Sequence, residues 1–324
     1  MCLRRRTARI ALAVRFLIEA GNWYLFHVSS GCIYNYSSMD NSDNKVNMLQ
    51  CKSANVFVRD DLDFEKIARS GQCFRWESLP DGSHKVLFGN NCVYAEDLGE
   101  GRFQFSCTDA EFYETWYDYL DLGTDYSEIR SMVDPEADPF LWRASECQKG
   151  IRILRQDPWE TLVSFIISQN KNIPAIRRSI EALCSVAGEQ LTDARGFPYF
   201  GFPNPGAVAA LSQDQLLQCG LGYRWKYVRA AANAVLECEI DLEQLKHADE
   251  KTALDALTGL YGVGVKVASC VALFGLHQTD AFPIDVWMKR VLENEYPHGY
   301  PFEAYRPYNG VFQQYMFAHY RSGS

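Results

Sequence analysis

The sequence has no Cys-x-x-Cys pair, no long uninterrupted apolar run and no excess of basic residues. Its eleven cysteines are scattered between Cys2 and Cys270. An odd, irregular set in a chain of 324 residues argues against a disulfide framework and for reduced thiols. It offers no zinc knuckle, and no tight four-cysteine run near the C-terminus that could hold an iron–sulfur cluster. Without a long apolar run, no membrane-spanning helix is expected. The net charge of −9 does not advertise a nucleic-acid binder, yet a DNA footprint is local and acidic surface elsewhere can outweigh it. What the chain does have is 47% hydrophobic and 14% aromatic residues, enough for two or three compact domains with their own cores.

Residues 1–48 read as an N-terminal extension, disordered or foreign to the native chain. Arg4, Arg5, Arg6 and Arg9 precede an apolar run that Arg15 interrupts, which spoils a signal-peptide core and leaves a transit peptide as the weaker reading. The stretch SSMDNSDNKVNM is linker-like, and Met39 or Met48 are alternative starts.

From Asn55 to Ser106, short alternating runs (NVFVRD, CFRWE, KVLFG, CVYAED, RFQFS) are separated by PDGS, GNN and LGEG. That pattern predicts an antiparallel meander, and residues 49–138 are assigned to a β domain. A helix is expected over Asp109–Leu120. Beyond the linker DPEADP, residues 139–324 read as a helical domain. Asp157 and Pro158 open a buried helix, WETLVSFIISQ, followed by one over Ile173–Cys184. Ser212–Gln215 is a capping signature, GYRWKYVRAAANAVLE another helix, and Gly196–Gly206 an ordered loop. The fold class is α+β. One oddity stands in the meander: SGQCFRW puts Gly71 at the opening of an expected strand, where glycine marks a bulge, an entry turn or a close approach to the backbone.

The sharpest motif is LTGLYGVGVKVASCVALFG, whose spacing of Leu257, Leu260, Gly262, Gly264 and Ala268 predicts a helix–hairpin–helix. The amides of Gly262 to Val265 then face outward at a helix start, where they can hold a DNA phosphate without reading sequence. The plain alternative is a glycine-rich corner with no ligand. Lys266 sits in the first turn, where the helix dipole disfavours a positive charge, and partial burial would act in the same direction. Asp285, in FPIDVW, follows Pro283 at a helix start. Alone it reads as an N-cap, and Lys266 alone as a phosphate contact. Together, a lysine and an aspartate behind this hairpin suggest an active site.

Here the chain resembles the helix–hairpin–helix DNA glycosylases, and among them the 8-oxoguanine DNA glycosylase/lyase family, with a bacterial look. The resemblance covers Phe57 to Tyr320 and rests on SGQCFRW, DPWETLVSFIISQNKNI, GLGYRWKYV, GVGVKVASC and FPIDVW in that order. It implies that Lys266 is the nucleophile that forms a Schiff base with the deoxyribose, and that Asp285 is the essential aspartate beside it. It implies that Asn170 fills the hole left by a flipped base, that Tyr223 is the wedge, and that Arg224 donates to the orphan cytosine, with Lys226 and Arg229 completing a local basic patch. The lesion pocket implied is Gly71, Cys270, Gln313 and Phe317, with the Gly71 carbonyl sensing the N7–H of the oxidised base.

Ala175, Lys171, and Val286 with Trp287 depart from the eukaryotic pattern at an orphan-base arginine, an asparagine and a phosphate-contacting histidine, which puts preference for the opposite cytosine in question. The resemblance further implies damaged double-stranded DNA as partner, no membrane, a monomer, no required cofactor with room for an ion bridging the hairpin to phosphate, and a cytoplasmic, nucleoid-associated location (nuclear in a eukaryote). The competing readings are a monofunctional alkylated-base glycosylase, which would lack the hairpin lysine, and a non-catalytic DNA-binding module.

Overall fold

The computed structural model describes residues 53–322 and, of the N-terminal extension, only the backbone of four short strands, β1 (Arg15–Glu19), β2 (Asn22–Phe26), β3 (Val28–Ser29) and β4 (Cys32–Ile33). These pair as two antiparallel hairpins. The remainder of the extension, with Met39 and Met48, lies outside the described residues.

Strands β5 (Ala54–Phe57), β6 (Trp76–Ser78), β7 (His84–Phe88), β8 (Asn91–Gly99) and β9 (Arg102–Phe105) form one antiparallel sheet in the order β5-β9-β8-β7-β6. The register sets Val86 opposite Val93 and Ala95 opposite Phe105, so four buried side chains share one face. Helix α1 (Phe64–Arg69) covers that face, and it was not expected from the sequence. Asp63 caps it by accepting from the Lys66 amide at 2.9 Å. Phe64 then packs edge-on against Phe103 and Phe105.

A second difference concerns CFRWE, of which only Trp76 onward pairs in the sheet. Ser70–Arg75 is instead a turn leading out of α1, and Gly71 adopts φ +80° within it. The glycine is therefore an αL turn residue and not part of a strand. This turn joins the two cores of the molecule: Cys73 and Trp76 pack with the sheet, while Phe74 packs among the helices.

The helix expected over 109–120 is present in widened form, as α2 (Asp109–Glu111), a π-helical turn at Phe112–Trp116, and α3 (Tyr117–Tyr119). Next come α4 (Tyr126–Ser131), α5 (Pro139–Cys147), α6 (Pro158–Ser168) and α7 (Ile173–Ala187). The stretch read as an ordered loop contributes β11 (Pro198–Phe200), which pairs with β10 (Gln190–Thr192) as a two-stranded ribbon. The chain ends in α8 (Pro205–Ala210), α9 (Gln213–Gln218), α10 (Trp225–Leu236), α11 (Leu242–Leu245), α12 (Glu250–Thr258), α13 (Val265–Phe274), α14 (Val286–Glu295) and α15 (Asn309–Ser322). The architecture is α+β.

Asp157 caps α6 by accepting from the Glu160 amide at 2.7 Å. Nine of the eleven residues of that helix are buried, so it forms the axis on which α7, α10 and α13 pack. No helix among the described residues is long and apolar enough to cross a membrane.

Candidate active site

The hairpin between α12 and α13 needs its first glycine for a steric reason. Gly262 has φ +85°, and a Cβ there would lie 2.2 Å from the ring of Tyr227. Gly264 faces open space instead and is the N-cap of α13, with no side chain satisfying the first-turn amides. Those N–H groups stand next to a 71% exposed Val265, at the positive end of the helix. Gln169 donates to the Gly262 carbonyl at 3.1 Å and ties the hairpin to the end of α6.

Lys266 lies in the first turn of α13. Its Nζ stands 5.4 Å from the centroid of the Phe165 ring, which in turn stacks on Phe274. The expected partial burial of this lysine is absent: in the free protein it is exposed. Asp285 caps α14, its Oδ1 accepting from the Met288 amide at 2.9 Å. The capping carboxylate also borders the pocket that Lys266 lines.

That pocket, open to solvent, gathers Gly71, Lys266, Cys270, Asp285, Gln313 and Phe317, together with Ser70, Phe165, Phe274, Pro283 and Gln314. Cys270 sits one helical turn after Lys266. Burial pushes its thiol up to about 11, with Asp285 acting in the same direction and Lys266 opposing. The group therefore stays neutral at physiological pH and offers a polarisable apolar wall. Gln313 is buried and donates from Nε2 to the Pro283 carbonyl at 3.1 Å.

Gly71 reaches the pocket because the turn out of α1 is clamped by its neighbour. Gln72 is fully buried; its Nε2 donates to Ser70 Oγ at 2.9 Å and to the Arg152 carbonyl at 2.8 Å. Its Oε1 accepts from the Leu154 amide, and its backbone carbonyl accepts from Gln156. A Cβ on Gly71 would meet Phe317 only at 3.6 Å, so the backbone conformation, more than crowding, demands glycine. Gly71→Ala is expected to cost about 1–2 kcal/mol of stability through the αL strain and to shift the backbone that lines the pocket. Thermal melting beside the wild type checks the stability loss.

On the far side of the hairpin, Asn170 occupies φ +49° and donates to the Tyr223 hydroxyl at 3.2 Å. Tyr223 is 49% exposed on a 3₁₀ turn. Arg224 differs from expectation. It is only 6% exposed, with Nε donating to the Gln169 carbonyl at 2.7 Å and the rest of the fork engaging Gln169, Asn170 and Leu221 carbonyls. Its guanidinium holds the Asn170 loop in shape instead of standing free for an orphan base. Arg229 likewise donates to the Leu211 carbonyl, so Lys226 is the exposed cation of the basic patch expected there.

Sequence reasoning did not single out Phe165, Phe274, Pro283 or Gln314. Phe165 and Phe274 are hidden inside helices that are apolar nearly all round. Gln314 carried a usable signal: two adjacent amides in the apolar stretch GVFQQYMF.

Comparison with known proteins bears on this geometry. Residues 56–162 match the family model for the 8-oxoguanine DNA glycosylase N-terminal domain, and residues 163–299 match that for HhH-GPD superfamily base excision DNA repair proteins. An N-glycosylase/DNA lyase of Saccharomyces cerevisiae is 30% identical over 262 residues, 74% of this chain and 69% of its own length. The chain belongs to the 8-oxoguanine DNA glycosylase/lyase family. An Arabidopsis thaliana N-glycosylase/DNA lyase is 34% identical over 69% of the chain and 64% of its own length, so the match spans about two thirds of these relatives.

Among solved structures, the Clostridium acetobutylicum 8-oxoguanine glycosylase/lyase, in complex with DNA containing cytosine opposite the lesion, aligns with a TM-score of 0.78 at 31% identity. The alignment covers 84% of this chain and 96% of that one. A 3-methyladenine DNA glycosylase of Archaeoglobus fulgidus shares the fold, with a TM-score of 0.66 at 18% identity. A fold common to both kinds of enzyme leaves the choice of base to the pocket. Among the described residues, no group of three or more His, Cys, Asp or Glu is placed to hold a metal ion.

Proposed function

We propose that the protein excises 8-oxoguanine from duplex DNA in base excision repair and then cleaves the strand at the same site, with Lys266 as nucleophile. The observation that supports this most is convergence: Gly71, from the β domain, borders one pocket with Lys266 and Asp285 of the helical domain.

A base inside a duplex cannot be reached, so the lesion is flipped out while Tyr223 and Asn170 occupy the gap. The free amides at the start of α13 take a backbone phosphate. In the pocket the base lies between Phe317 and the neutral Cys270 thiol. The Gly71 carbonyl accepts the N7–H that oxidation creates, and it faces a lone pair in ordinary guanine. A required hydrogen bond of this kind discriminates far better than shape.

Lys266, neutral when it attacks, forms a bond from Nζ to C1′ as the C1′–N9 bond breaks and its electrons leave with the base. The Asp285 carboxylate stabilises the positive charge that develops on the sugar. The secondary amine opens the ring to a Schiff base. Loss of a C2′ proton then expels the 3′ phosphate and cuts the strand.

Borohydride trapping on a duplex with one 8-oxoguanine opposite cytosine tests this mechanism. A covalent adduct supports it. Excision without an adduct would mean that water is the nucleophile, and release of alkylated bases alone would favour the monofunctional alternative.

With Ala175 in the place of an arginine and Arg224 turned inward, selection of the opposite base should be weak. A bidentate base contact is worth about 1–3 kcal/mol. Excision opposite cytosine is therefore expected to exceed that opposite adenine, guanine or thymine by less than about tenfold, as single-turnover rates on the four duplexes would show.

A further inference from the structure

Gln313 and Gln314 are adjacent in α15, both line the lesion pocket, and both are buried, at 3% and 4% exposure. Their amides form a chain. Gln314 Nε2 donates to Gln313 Oε1 at 2.9 Å, and Gln313 Nε2 donates to the Pro283 carbonyl at 3.1 Å. The chain ends unsatisfied, because the carbonyl oxygen of Gln314 is buried and accepts no hydrogen bond. Buried acceptors are normally paired, and one left over in a ligand pocket points to a network that the ligand completes.

A glutamine amide has a donor end and an acceptor end, and half a turn about its last torsion exchanges them. A lone, free glutamine could therefore read a guanine edge, with acceptor O6 beside donor N1–H, or an adenine edge, with donor N6 beside acceptor N1. Gln313 is not free in this way. The Pro283 carbonyl accepts only from its NH₂ group, and the Gln314 NH₂ group donates only to its oxygen. A half turn would set two carbonyl oxygens against each other and two NH₂ groups against each other.

We propose that Gln314 is a specificity-determining positioning residue, which locks Gln313 in the guanine-reading orientation and offers its own unpaired carbonyl oxygen to the 2-amino group of the flipped base. The match runs group for group. The second Nε2–H of Gln313 meets O6, the second lone pair of Gln313 Oε1 meets N1–H, and Gln314 Oε1 meets the exocyclic amine. The inference rests on the proposed excision of 8-oxoguanine and adds the edge of the base that Gly71 does not touch.

The test uses three lesions that all carry N7–H and so satisfy Gly71 alike: 8-oxoguanine, 8-oxohypoxanthine, which lacks only the 2-amino group, and 8-oxoadenine. Each is placed opposite cytosine, and single-turnover excision is compared for the full chain and for Gln314→Met, which keeps the volume and removes both polar atoms. The wild type should favour 8-oxoguanine over 8-oxohypoxanthine by about tenfold, the worth of one hydrogen bond, and over 8-oxoadenine by about a hundredfold or more. In Gln314→Met the first ratio should fall to near one and the second by about tenfold.

A uniform loss on all three lesions, or a wild type indifferent to the 2-amino group, overturns the inference. The wild-type comparison needs no variant, so it can overturn the inference even where Gln314→Met fails to fold. Absence of excision on all three duplexes by the wild type overturns the proposed function and this inference with it.

Discussion

Lys266→Gln should abolish both the borohydride-trapped adduct and base release, while binding to lesion-containing DNA stays near that of the wild type. The side chain is exposed in the free protein, and it contacts the Phe165 ring at 5.4 Å and the Cys270 thiol. An exposed cation–π contact is worth about 0.5–1 kcal/mol, so the fold should survive the change. The reaction should not. A neutral amide is no nucleophile, and removal of a nucleophile that acts as part of a unit costs on the order of 10⁶ in rate elsewhere. A loss of at least about 10⁴-fold in single-turnover excision, or about 5.5 kcal/mol of barrier, is the minimum expected. Retained base release with lost trapping would separate the two steps and assign excision to a water molecule. Because the pocket leaves this lysine exposed, desolvation of the amine has to come from the DNA that covers it. Lys266 chemistry therefore starts with binding.

The legibility of this site in the sequence divides along physical lines. The hairpin was visible because glycine spacing is rigid, although the steric reason, the Tyr227 ring under Gly262, belongs to a residue thirty-five positions away. Lys266, Asp285, Gln313 and Phe317 could be named from motif positions, and all four meet in one pocket. Helix α1 was invisible: six residues set between strands carry too few turns for helical periodicity to stand out from alternation. Missing that helix also misplaced Gly71, which terminates a helix and enters a strand only five residues later.

The environment of Arg224 was hidden for another reason. A sequence shows a guanidinium but not whether backbone carbonyls already occupy its donors, and here Gln169, Asn170 and Leu221 do. Gln314 stands between these cases. Two neighbouring amides in an apolar helix conflict with local burial rules, and such conflicts concentrate at functional sites. The segment from Ser70 to Trp76 shows how the two domains share one task. Gln72 ties it to Arg152 and Leu154 in the segment between α5 and α6, while Cys73 and Trp76 pack in the sheet core and Phe74 among the helices, so the carbonyl proposed to sense the lesion is held from both cores.

Asp285→Asn separates the two roles that the structure gives this residue. Asparagine and aspartate are nearly equal as N-caps, so the bond to the Met288 amide can persist and the start of α14 should hold its shape. The melting temperature should then move little, within the few degrees that correspond to about 0.5 kcal/mol. Only the negative charge is lost. Removing one preorganised electrostatic partner of a developing charge costs about 10²–10³ in rate, and a drop of that size is expected in single-turnover excision with affinity for DNA unchanged.

Asp285→Ala should lose the same rate and, in addition, about 1 kcal/mol of stability as the cap disappears. Asp285→Glu keeps the charge but moves it by one methylene. Near-attack geometry tolerates little displacement, so this variant should fall between the wild type and Asp285→Asn in rate. If Asp285→Asn excised at the wild-type rate while Asp285→Ala melted early, the aspartate would be a cap and nothing more, and the charge that stabilises the sugar would have to come from the DNA itself.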